Sequence, residues 1–195
     1  MKEEVVMYYA KPMENEKGLY KYHVDTAYQV MESELNQMLE SITPLLHQCK
    51  ETPEQYKEKM KIAMVMHDFG KLNMNFQKVM ELLMKGENVR VEYYFRHELL
   101  SFYYMIPFVS RWQQQKGDFA YPLFAVLSHH KSMSPRFESF QREFDKDQWP
   151  LLTEKAKEYG YSLLDDYNLP IPQKITSNQI PPLKIYMENF FSLVN

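Results

Sequence analysis

A single cysteine, Cys49, among 195 residues excludes a disulfide framework within the chain. Glycine is scarce as well, with five residues. No alternating apolar and polar run is bounded by Asn-Gly or Asp-Gly, so no hairpin is predicted. No apolar run approaches the roughly 20 residues that a membrane-spanning helix needs. Positive charge is not in surplus: 23 Lys and Arg against 26 Asp and Glu leave a formal net charge of -3. That excludes nucleic-acid binding carried by an overall basic surface, so any such activity must draw positive charge from elsewhere. The opening Met1, Lys2, Glu3 and Glu4 is acidic rather than basic-then-apolar. With no secretory signal and one cysteine, the expected location is the cytoplasm, with no membrane partner. Internal repeats and low-complexity tracts are also missing.

What remains is ordinary globular composition, 45% apolar and 25% charged, in a chain long enough to bury a core of its own. Plentiful Met, Leu, Lys, Glu and Gln favour helix over sheet. Apolar positions at Val24, Ala27, Met31, Leu35, Met38 and Ile42 predict an amphipathic helix over about 21–46. Thr52, Pro53 and Gln55 form a helix start, with Thr as N-cap, Pro in the first turn and Gln closing a capping box. The helix that follows carries Tyr56, Met60, Ala63, Met64 and His67 on one face, and Gly70 is expected to let the chain turn. Asn73 caps the next helix, which reaches towards Gly86. Further helices are expected from near Tyr93 to Met105, stopped by Pro107, then from Phe119–Pro122 through His130, from Ser134 with Phe137, Phe140 and Phe144, and from Pro182 onward. The stretch from Asn168 to Pro182 holds four prolines and reads as an extended loop. The result is an all-α chain of about seven helices around one core, a single domain over 1–195.

The six histidines carry the chemistry. His67 continues the apolar stripe of its helix and is followed at once by Asp68. His23, His97, His129 and His130 also lie on or beside apolar faces, on three further helices, whereas His47 sits in a polar stretch. One histidine on an apolar face is most often a satisfied core residue. Five of them, with an aspartate, leave many buried polar rings that need partners, at about 1–3 kcal/mol for each unsatisfied group. A shared metal site supplies such a partner, and imidazole with carboxylate suits Mn, Fe, Co, Ni or Zn. Lys71 admits two readings: a charge for a substrate phosphate, or a solvated lysine at a helix C-terminus. Arg96 and Lys131 are surface charges that could line a nucleic-acid path, and Trp112 and Trp149 read as packing residues.

The stretch His67, Asp68, Phe69, Gly70, Lys71 resembles the signature of the HD metallohydrolase superfamily. The order is more specific: a lone His23, His67 with Asp68, Arg96 with His97, then Ser128, His129 and His130. With Tyr9, Ala10, Lys11 and Asn75, Phe76, Gln77, this pattern resembles the HD nuclease domain of the CRISPR-associated type I effector helicase–nuclease. The resemblance implies a helical HD domain with two divalent transition metal ions. His23, His67 and Asp68 would hold one ion, and His97, His129 and His130 the other, with Asp68 bridging; Asp68 and, on the first of its two readings, Lys71 are the candidate catalytic residues. It further implies metal-dependent cleavage of single-stranded DNA, with a superfamily-two helicase and an RNA-guided surveillance complex as partners. The family pattern includes a later Asp ligand, expected beyond Asn195, for which Asp165 and Asp166 are candidate substitutes. Two other functions fit the same residues: an HD phosphohydrolase acting on a small nucleotide, and a non-catalytic docking module with a relic metal site.

Overall fold

The computed structural model describes residues 7–89, 96–114, 121–130 and 152–171. Among them the fold is all-α, with one isolated antiparallel bridge between Tyr9 and Leu19. The helices are α1 (Tyr20–Gln48), α2 (Pro53–Met66), α3 (Met74–Met84), α4 (His97–Gln114), α5 (Tyr121–Ser128) and α6 (Glu154–Asp166). Short 3-10 turns cover Glu16–Gly18 and Phe69–Leu72.

Local chemistry sets most of these boundaries. At the start of α2 the capping box is closed in both directions: the Gln55 N–H donates to Thr52 Oγ1, and the Thr52 N–H donates to Gln55 Oε1. Asn73 caps α3 by accepting from the Asn75 N–H, and Gly86 follows that helix with φ +71, a left-handed conformation natural to glycine. Pro107 does not stop α4, which runs on to Gln114. Burial on both sides of the proline, at Met105, Ile106 and Phe108, carries the helix across it. Helix α6 is absent from the sequence reading. Thr153 caps it, and its inward stripe is Ala156, Gly160, Leu163 and Leu164. The helices expected from Ser134 and from Pro182, and most of the proline-rich stretch, lie outside the described residues, as do the side chains of Trp112 and Trp149.

One apolar core joins these elements, with Tyr20, Phe69, Phe102 and Phe108 fully buried. The Phe69–Leu72 turn sits at its centre, packed by α3, α4 and α6, while α2 lies against α1 and α5. A buried ion pair braces the far end of α2. Lys59 Nζ lies 2.6 Å from Glu51 Oε1, which also accepts from the Tyr121 hydroxyl at 2.9 Å. The Tyr121 ring stacks on Tyr56 with centroids 5.4 Å apart. This fixes the start of α5, whose other end leads into His129 and His130. No described helix is long and apolar enough to cross a membrane.

Candidate metal centre

Helix α2 ends at Met66, so His67 caps it and Asp68 opens the central 3-10 turn. That places the Asp68 carboxylate inside the core, 1% exposed. Gly70 has a role that the sequence did not convey. Its φ is not positive, so it does not serve as a left-handed turn residue. Instead the N-terminus of α4 presses against it: a Cβ there would overlap the His97 carbonyl oxygen and lie 2.8 Å from the carbonyl carbon. Ser101, fully buried, closes the same contact. Its hydroxyl accepts from the Gly70 N–H at 2.8 Å and donates to the His97 carbonyl at 3.0 Å. Gln77 braces the other side, donating to the carbonyls of Tyr9 and Lys71 and accepting from the Tyr9 N–H. Sequence reasoning missed Ser101; the one available signal was a serine one helical turn after His97.

The structure brings His23, His67, His97, His129 and His130 together around Asp68, and divides them between its two oxygens. Oδ2 lies 2.7 Å from His23 Nε2 and 3.3 Å from His67 Nε2. Oδ1 lies 2.8 Å from His97 Nε2 and 3.2 Å from His129 Nε2, and His130 Nε2 is 2.9 Å from His97 Nε2. In each set, His23, His67, Asp68 and Asp68, His97, His129, His130, the ligand atoms lie within 4.8 Å of one another. Donors bonded to one ion at about 2.0–2.2 Å are separated by about 3–4.4 Å, so both sets are near that scale.

Tautomers support the same use. His67 Nδ1 is 2.6 Å from the Met64 carbonyl, and His129 Nδ1 is 2.6 Å from the Val126 carbonyl. A carbonyl only accepts, so Nδ1 carries a proton in both rings and Nε2 is the ligand atom. To hydrogen-bond the Asp68 carboxylate, each Nε2 must then carry a second proton, and a metal cation would take the place of that proton. The donor set therefore fits divalent metal ions. Burial alone would push the Asp68 carboxyl up, but hydrogen bonding to His129, His23, His67 and His97 outweighs it and holds the group well below the usual carboxylate range. Burial would lower His129, yet its bonds to Asp68 and the Val126 carbonyl raise it. Partial burial, then the neighbouring His129 and His97 rings, push His130 down to about 4, leaving it a free base at neutral pH.

Lys71 is not the solvated lysine of one reading. It is 8% exposed, and its Nζ lies 2.6 Å from Asp68 Oδ2. His47 is exposed and remote from the cluster in sequence and burial. Asp166 pairs with Lys21 at 2.6 Å, and neither it nor Asp165 belongs to either ligand set among the described residues.

A helical core with a His-Asp pair buried at the end of one helix, ringed by histidines from three neighbouring segments, defines an HD-type domain. The family model described as Cas3, HD domain, matches residues 10–182, and the chain belongs to that family. It is thus a CRISPR-associated HD domain, of a kind that hydrolyses its substrates with divalent metal ions. Among solved structures it is similar to the CRISPR-associated Cas3 HD domain protein from Methanocaldococcus jannaschii. That match has 19% identity and a TM-score of 0.63, covering 94% of this chain and 89% of the other, and it bears on the fold. No curated protein matches the chain.

Proposed function

We propose that the chain is a metal-dependent nuclease that cuts single-stranded DNA endonucleolytically in CRISPR interference. The observation that carries this is the division of the buried Asp68 carboxylate, one oxygen facing His23 and His67, the other facing His97 and His129. A carboxylate so placed can bridge two ions. When bound, two divalent ions neutralise a phosphodiester and activate water at neutral pH. The chain's residues supply the rest. His67 and His129 keep their Nδ1 protons on backbone carbonyls and present Nε2 inward. Lys71 holds a cation at the carboxylate, where a substrate phosphate oxygen can accept from it.

The overall charge of -3 leaves phosphate neutralisation to the centre and its near lysines. An unpaired strand enters a cleft between helices more readily than a duplex does, which fits delivery by a superfamily-two helicase recruited to an RNA-guided surveillance complex. The test is cleavage of circular single-stranded DNA with added Mn, Ni or Co, compared with hydrolysis of free nucleotides. Wild-type chain is expected to cut the circle and spare nucleotides. Asp68→Ala should lose more than about 100-fold in rate with an unchanged helical circular dichroism spectrum. Undiminished cleavage by the variant contradicts the assignment, and a preference for nucleotides points to a phosphohydrolase.

A further inference from the structure

Helices α1 and α2 and the loop before α1 frame an open groove of about 420 Å3 beside the metal-ligand cluster, and His23 borders both. Its lining is mainly apolar, with Tyr22, Val30, Met31 and Met64, and two lysines, Lys11 and Lys17, complete it. Tyr22 is 38% exposed and Val30 is 60% exposed, so large apolar groups stand in water next to a polar centre. Among the described residues, no acidic side chain lines the groove. Neither Lys11 nor Lys17 has an ion-pair partner among the described residues, whereas Lys21 and Lys61 on the flanking helices are paired with Asp166 and Glu32.

A ligand matched to this surface carries a flat apolar face and negative charge together. An unpaired nucleotide does so, since its base offers a π-face to tyrosine and methionine and its phosphates seek lysine. Bases inside a duplex have both faces stacked and are withdrawn from such a surface. The volume falls in the range of about 300–1,000 Å3 typical of small-ligand sites. Resting on the nuclease reading above, we propose that this groove seats one unpaired nucleotide of the substrate strand next to the phosphate that is cut. The base lies against Tyr22 and the methionines, and Lys11 and Lys17 hold its flanking phosphates. His23 ties the seat to the Asp68 centre, so the groove sets where along the strand cleavage falls.

The test is the affinity of the chain for a short fluorescein-labelled oligothymidylate, followed by anisotropy in EDTA so that cleavage does not intervene. Tyr22→Ala should weaken binding about 5- to 150-fold, the range of one lost base–aromatic stack, with Tyr22→Phe close to wild type. The double substitution of Lys11→Gln and Lys17→Gln should reduce the slope of log affinity against log salt by about 1.4, at about 0.7 for each phosphate contact. With Mn added, Tyr22→Ala should lose at least several-fold more on the oligothymidylate than on bis(p-nitrophenyl) phosphate, a phosphodiester with no base. All three positions are solvent-exposed, so the variants should fold. Unchanged affinity and salt slope in both variants overturn the proposal, and cleavage of circular DNA by the same variants would then leave the nuclease reading standing. Equal losses on both substrates also overturn it, by showing a disturbed centre rather than a lost seat. Failure of wild-type chain to bind the oligothymidylate overturns the seat alone, and failure to cut circular DNA as well ends both readings.

Discussion

At the scale of single residues, contact across the chain decides what each motif position does. Gly70 follows the His-Asp pair in a place that suggests a turn, yet its value lies in the missing Cβ. The His97 backbone occupies that space, and Ser101 pins the two segments together. Gly70→Ala should therefore push the first turn of α4 away and carry His97 off Asp68 Oδ1. The overlap is with backbone, which cannot swing aside, so stability should fall by about 1–3 kcal/mol. Metal affinity should fall about 10- to 100-fold, the usual effect of a lost supporting contact. Calorimetric unfolding and metal titration read the two effects separately, and a destabilised variant with wild-type metal affinity would contradict the positional role. The histidines and Asp68 were legible in the sequence because their spacing on apolar faces carries information along the chain. The uses of Gly70 and Lys71 were not, because each is defined by a neighbour that only the folded core supplies.

Among the elements, legibility follows the size of the signals. The start of α2 could be read from Thr52, Pro53 and Gln55, because a capping box is written within four consecutive residues. Helix α4 was cut short at Pro107, since local rules weigh a missing donor but not the burial of Phe108 just beyond it. Helix α6 escaped notice because two of its four inward residues, Ala156 and Gly160, are small, and charged residues surround them. Smallness is what that interface needs. A Cβ on Gly160 would overlap the Phe69 ring edge and come within 2.6 Å of Leu72 Cδ1. Phe69 adjoins Asp68 and is held by the Tyr161 ring, with centroids 4.9 Å apart. Gly160→Ala gains about 1 kcal/mol of intrinsic helix propensity. Overpacking the ring should cost about 1–3 kcal/mol and make the net change a loss. Urea denaturation gives the sign, and a more stable variant would show that α6 can retreat without strain.

For the whole molecule, the cluster is a cross-link. His23 comes from α1, His67 and Asp68 from the end of α2, His97 from α4, and His129 and His130 from beyond α5. Unfolding separates these four segments, so an ion bound there stabilises the native state alone. At a free metal concentration of 100 times Kd, linkage adds about 2.7 kcal/mol. For a chain of this size that is a rise of about 5–10 °C in Tm, reversed by EDTA. The two ligand sets should not fill together. Asp68, His97, His129 and His130 offer four donors, and His130 is already an unprotonated base at neutral pH. His23, His67 and Asp68 offer three, and the Lys71 ammonium lies 2.6 Å from the oxygen they share. Fewer donors and a resident positive charge both weaken the second set. Titration with Mn or Co should therefore show a tight step followed by a weaker one. His97→Ala should remove the tight step and most of the thermal shift. Lys71→Met should leave the tight step in place and strengthen the weaker one, because the cation that competes for Oδ2 is gone. A single step of two equivalent ions in wild-type chain, or a weaker second step in Lys71→Met, would show that Lys71 assists the ion at that oxygen rather than opposing it.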